Sequence, residues 1–132
     1  MKTILLLISD PVVRSAVRDA LEHGGLSVVA VGDLGSAVDR LKEFTPGLLI
    51  IRSYIEDIPG YDAAVYLRTL SPGLHVLMVG GLIEDDRLVN RMKLEGFETF
   101  PKPYPAAALL AKVREMLEKA QRPAVNVDQR GG

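Results

Sequence analysis

The chain has no cysteine and no tryptophan, and only three phenylalanines and four tyrosines among its 132 residues. Without cysteine there are no disulfides, no thiolate nucleophile and no cysteine-ligated zinc. Histidine is almost as scarce: His23 and His75 fall in separate segments without ligand spacing. Charge of one sign is also missing, since the formal net charge is −1 with 25% charged residues. With so few rings for stacking, nothing suggests a nucleic-acid footprint, and this domain is expected to bind none. No apolar run approaches the roughly 20 residues that cross a bilayer, so no membrane partner is expected. The opening "MKTILLLISDPVV" has the lysine and apolar stretch of a leader. Asp10-Pro11 interrupts it, however, and no small-residue cleavage pattern follows. It reads as a first strand, and the expected compartment is the cytoplasm.

What the chain has is alternation. Short aliphatic runs (Ile4–Ile8, Val28–Val31, Leu48–Ile51, Leu74–Val79 and the weaker Phe97–Phe100) are too short for helices and rich in branched residues. Strands buried on both faces look like this. Between the runs the period becomes helical. Val13, Ala16, Val17, Ala20 and Leu21 form one apolar stripe, opened by Asp10-Pro11 as cap and first-turn proline and closed by Gly24-Gly25. Leu34, Ala37, Val38 and Leu41 mark a second helix; Ala64, Tyr66, Leu67 and Leu70 a third. Leu88, Val89 and Met92 mark a fourth, closed by Gly96, and a fifth follows Pro105 with Leu109, Leu110, Val113, Met116 and Leu117.

Five strands alternating with five helices predict an α/β fold, a doubly wound parallel sheet of order 2-1-3-4-5. One domain is expected over residues 1–120, with 121–132 as a flexible tail or linker. Such folds work at the carboxyl ends of their strands, beside the switch point between strands 1 and 3. That places Ser9, Asp10, Arg52, Gly80 and Lys102 around one crevice. The stretch "LLIIRSYIEDIPG" then poses the central question, because a strand built for the protein's centre ends on the guanidinium of Arg52.

"DPVVR" after strand 1, "PGYDAAVYLR" at helix 3 and "KPY" after strand 5 stand in a telling order. Over about residues 3 to 119 they resemble the receiver domains of bacterial two-component response regulators, with the flavodoxin-like, CheY-like (βα)5 fold. The resemblance implies a phosphorelay role. In that family an aspartate ending strand 3 carries the phosphate, and an acidic pair after strand 1 holds Mg²⁺. A Ser or Thr ends strand 4, and a lysine before helix 5 contacts the phosphate. A carboxylate nucleophile needs such a metal and cation to quench charge during transfer.

Carried over by position, the phosphoacceptor falls on Arg52, which cannot form an acyl phosphate. The acidic pair falls on Ile8 and Ser9, or on Ser9 and Asp10 after a one-residue shift, so at least one acid is missing. The strand 4 hydroxyl falls on Gly80. Lys102, followed by Pro103 and Tyr104, keeps the family's Lys-Pro-aromatic signature. Between Arg52 and Pro59 there are about three more residues than the family usually has, and Gly96 to Pro103 is about one residue short. The chain resembles a degenerate receiver, a pseudoreceiver.

Each residue also has a plainer reading. Arg52 either snorkels to water or pairs with Asp10 across neighbouring strands, its guanidinium replacing the metal's charge. Asp10 is a helix cap, a role compatible with that pair. Glu56 and Asp57 read as a solvated loop; Asp57 is otherwise a relocated phosphoacceptor, in which case Mg²⁺ would be needed. Gly80-Gly81 read as a tight turn, and Glu84, Asp85 and Asp86 as acids favoured at a helix start. The leading expectation is a phosphorylation-independent interaction module, neither an enzyme nor a cofactor protein. It would bind a signalling protein or itself through helix 4, strand 5 and helix 5, a face that includes Arg87, Arg91 and Tyr104. The alternatives are an active receiver phosphorylated on Asp57 and an anion or small-ligand module at Arg52 and Lys102.

Overall fold

The computed structural model describes residues 3–80, 86–100 and 105–121. Five parallel strands make the central sheet: β1 (Thr3–Leu7), β2 (Ser27–Val31), β3 (Leu48–Arg52), β6 (Val76–Val79) and β7 (Phe97–Phe100). Between β3 and β6 lies a two-stranded antiparallel hairpin of β4 (Tyr54–Ile55) and β5 (Ile58–Pro59). The helices are α1 (Pro11–His23), α2 (Leu34–Leu41), α3 (Gly60–Leu70), α4 (Asp86–Leu94) and α5 (Ala106–Gln121). The sheet order is β2-β1-β3-β6-β7, which is the expected 2-1-3-4-5 once the hairpin is set aside. The expected domain end at residue 120 falls within the last turn of α5, and residues 122–132 lie outside those described.

Two-residue periodicity divides the sheet's side chains between two cores. Leu5, Leu7, Leu49, Ile51, Val76 and Met78 pack with Ala37 of α2, Ala63, Ala64 and Leu67 of α3, and Met92 of α4. Ile4, Leu6, Leu48, Ile50, Leu77 and Val79 pack on the other face with Val17 and Leu21 of α1 and with Leu109, Val113, Met116 and Leu117 of α5. Each fully buried aliphatic side chain contributes about 1.5–3 kcal/mol, so the middle strands dominate the stability.

The helix ends follow the sequence. Asp10 caps α1, accepting from Val12 N at 2.9 Å and Val13 N at 3.4 Å, with Pro11 at the first helical position. Gly24 ends the helix, its N–H 3.1 Å from the Leu21 carbonyl. Asp33 caps α2, and the two bonds from Ser36, with the Arg14 charge assisting, hold its carboxyl below the usual value. The apolar stripe expected for α3 differs from the observed one. Tyr66 and Leu70 are exposed, and Gly60, Ala63, Ala64 and Leu67 form the buried face. Small residues there let α3 lie close against β3. At its far end Arg68 donates to the Leu74 carbonyl at 2.8 Å and to the Glu95 carbonyl, and stacks 4.2 Å over the Phe97 ring. That pins α3 to the start of β7.

Candidate functional site at the carboxyl ends of the strands

β1, β3 and β6 end side by side, with Leu7 opposite Ile51 and Arg52 opposite Val79. Ser9 and Asp10 follow β1, Arg52 closes β3, and Gly80 follows β6, so the fold brings these four positions to one edge. Lys102 and Pro103, the remaining crevice residues, lie outside the described residues, as do Gly81, Glu84, Asp85 and Tyr104.

Arg52 shares its parity with Leu48 and Ile50, which belong to the α1/α5 core. Its side chain therefore leaves β3 on that face, beside Val79 and beyond Ile8. The residue is partly buried, and its side chain makes no ion pair or hydrogen bond among the described residues. The expected Arg52–Asp10 pair is therefore a correction. Asp10 is exposed, and its carboxylate is turned to the first N–H groups of α1, where the helix dipole holds it. Capping has won over pairing because those donors are local and fixed, whereas Arg52 would have to be drawn across the strands.

The cation that does bind the end of β1 is Arg14, one turn into α1. Its Nη1 donates to the carbonyls of Ile8 at 2.9 Å and Ser9 at 3.4 Å, which have run past the ladder. Gly32 makes room, since a Cβ there would meet the guanidinium, with Cζ at 3.3 Å. In the sequence Arg14 stands out only as the last residue of "DPVVR". The glycine directly after β2 was the available signal.

The extra residues after Arg52 fold into the β4–β5 hairpin, whose tip is the solvated turn expected for Glu56 and Asp57. Ile55 is the reason: it is 1% exposed and joins the α2/α3 core, with Ile58 packed beside it. Glu56 and Asp57 occupy the tip, both exposed, with Glu56 at φ 57°. The base of the hairpin is fastened to the crevice. Ser53 Oγ donates to the Gly80 carbonyl at 3.3 Å, and Gly60 N donates to the Ser53 carbonyl at 2.6 Å. Gly60 itself presses against β3. A Cβ there would sit 3.1 Å from the carbonyl carbons of Arg52 and Ser53 and inside contact distance of the Arg52 oxygen. Gly80 completes the turn at φ 74°, its N–H donating to the Phe100 carbonyl at 3.0 Å. None of Ser53, Gly60 or the hairpin was recognised as site architecture from sequence.

Among the described residues this edge does not suit Mg²⁺, which keeps several waters and is anchored by one or two free carboxylates. Asp10 is held by its cap, Ser9 offers a hydroxyl, and Arg52 and Arg14 supply positive charge. Among the described residues no three of His, Asp or Glu cluster.

A doubly wound parallel sheet with polar residues gathered at its strand ends defines a class, the flavodoxin-like α/β folds. Within that class the assignment is specific, because residues 4–114 match the response regulator receiver domain family, and the chain belongs to it. It is 24% identical over 117 residues to the probable transcriptional regulatory protein TcrX of Mycobacterium tuberculosis. It is 31% identical over 107 residues to the response regulator protein FleR of Pseudomonas aeruginosa. These alignments cover 89% and 81% of the chain but only 50% and 23% of those relatives, so the chain spans about half or less of their length. Among solved structures, the receiver domain protein (CheY-like) from Methanospirillum hungatei superposes with a TM-score of 0.81 at 22% identity, covering 92% of this chain and 97% of that one. That likeness concerns the fold. Among the described residues no helix is long and apolar enough to cross a membrane.

Proposed function

We propose that this receiver is a pseudoreceiver, passing its signal by binding rather than through an aspartyl phosphate. The observation that carries the reading is Arg52 as the last residue of β3, the place where the resemblance puts the phosphorylated aspartate. The capping role of Asp10, Ser9 in place of an acid, and Gly80 in place of a hydroxyl support it. The alternative acceptor, Asp57, is exposed at the tip of a hairpin whose base is hydrogen-bonded, which gives no support to its folding back toward Lys102. The partner is a signalling protein or a second copy, docking on α4, β7 and α5. That face is held together by the Lys112–Glu98 ion pair between α5 and β7, and it carries the exposed Arg91 and Leu94, the latter 88% exposed.

The test is a ¹⁵N amide spectrum recorded before and after adding a small phosphodonor with Mg²⁺. The resonances of α4, β7 and α5 stay where they are if the reading holds. Shifts spreading from the strand ends to that face would show a working phosphorylation switch and defeat it.

A further inference from the structure

We infer that the carboxyl edge of β1 and β3 is a reversible oxyanion site, with Arg52 holding a phosphate group non-covalently. The inference rests on the reading of Arg52 as occupant of the phosphoacceptor seat and adds a ligand and a mode of regulation to it. A guanidinium carries five N–H donors in a planar fork that matches phosphate and carboxylate oxygens. Partly buried arginines normally spend those donors on a carboxylate or on carbonyls. Arg68 and Arg14 do so here. Arg52, on the sheet's central strand, makes no such bond among the described residues.

The surroundings favour an anion over a cation. Asp10, the acid that follows β1, has its charge met by two N–H groups of α1. Glu56 and Asp57 are carried outward on the hairpin tip. The Ile8 and Ser9 carbonyls, which would otherwise repel an anion, are covered by Arg14. The Ser9 residue is partly buried, and its hydroxyl has no hydrogen bond among the described residues. Arg52 adjoins Ser53, whose hydroxyl ties the hairpin to the Gly80 carbonyl.

The experiment is thermal unfolding of the full chain in rising inorganic phosphate, against sodium chloride at matched ionic strength. The expected result is a Tm that climbs with the logarithm of phosphate concentration and is flat in chloride. Arg52→Gln, compared with wild type in its phosphate-free circular dichroism, is expected to lose the climb. The wild-type Arg52 Nε–H resonance, followed by NMR, moves and saturates over the same range. Adenosine monophosphate then separates sources: a larger effect than phosphate assigns a nucleotide, an equal one the phosphate group alone. A wild-type Tm indifferent to phosphate, or a climb that survives in Arg52→Gln, overturns the inference. Reversal on dialysis with unchanged protein mass separates this outcome from covalent phosphorylation, which would instead sink the pseudoreceiver reading.

Discussion

Gly60→Ala tests the hairpin lock. A Cβ at residue 60 would lie 3.1 Å from the Arg52 and Ser53 carbonyl carbons, closer still to the Arg52 oxygen. What it meets is backbone. Arg52 is laddered to Val79, and Ser53 is tied to Gly80 by its hydroxyl and to Gly60 by its carbonyl. Relief therefore means moving α3 away from β3 or breaking the 2.6 Å Gly60–Ser53 bond. Overpacking of this kind costs about 1–3 kcal/mol, and the strained hydrogen bond adds about 1 kcal/mol. Alanine's better helix propensity returns at most about 1 kcal/mol. The net expectation is a loss of about 1–3 kcal/mol, read by urea unfolding as a midpoint roughly 1 M lower at unchanged m. Gly35→Ala is the control. Its Cβ would meet only the Asp33 carboxylate at 3.4 Å, in ordinary contact, so stability should hold or rise. A Gly60→Ala protein within about 0.5 kcal/mol of wild type would refute the close-approach argument.

Asp10→Ala should cost about 1 kcal/mol in the same urea assay, while Asp10→Asn, which can still cap, stays near wild type. A large loss in the Asn variant would mean that the charge itself matters at the crevice. Glu56→Gly should stabilise by about 0.5–1 kcal/mol, because it removes a side chain from a left-handed backbone position at φ 57°; a destabilised variant contradicts this. Tyr61 is held above the usual tyrosine pKa by burial first, then by its 2.7 Å hydrogen bond to Glu95. Folding thus favours the protonated phenol. Its contribution is full below the unfolded value near pH 10 and is lost as pH rises through the folded value. Urea midpoints should accordingly fall faster above about pH 10 for wild type than for Tyr61→Phe, and parallel slopes would count against the linkage.

The fold was legible because the short runs from Ile4, Val28 and Leu48 and the stripe from Val13 to Leu21 need only burial and period to be read. Strand β6 begins at Val76 rather than Leu74, since Leu74 approaches the sheet through a turn at Ser71. The α3 stripe misled, as Tyr66 and Leu70 fit a helical period that tertiary packing gave to alanines and a glycine. At the crevice, position was readable and partnership was not. Asp10 had two compatible roles in one dimension, and only the observed side-chain geometry separates the cap from the ion pair. The hairpin escaped notice because "SYIEDIPG" is polar at its tip, and a single isoleucine decides that it folds inward.

The pseudoreceiver reading turns on whether any aspartate of this receiver can be phosphorylated. Intact-protein mass spectrometry after incubation with a small phosphodonor and Mg²⁺ reads this directly, for wild type and for Asp57→Asn. The expected spectrum is the unmodified mass alone in both. A phosphoryl adduct on wild type would contradict the reading, and its disappearance in Asp57→Asn would name the acceptor.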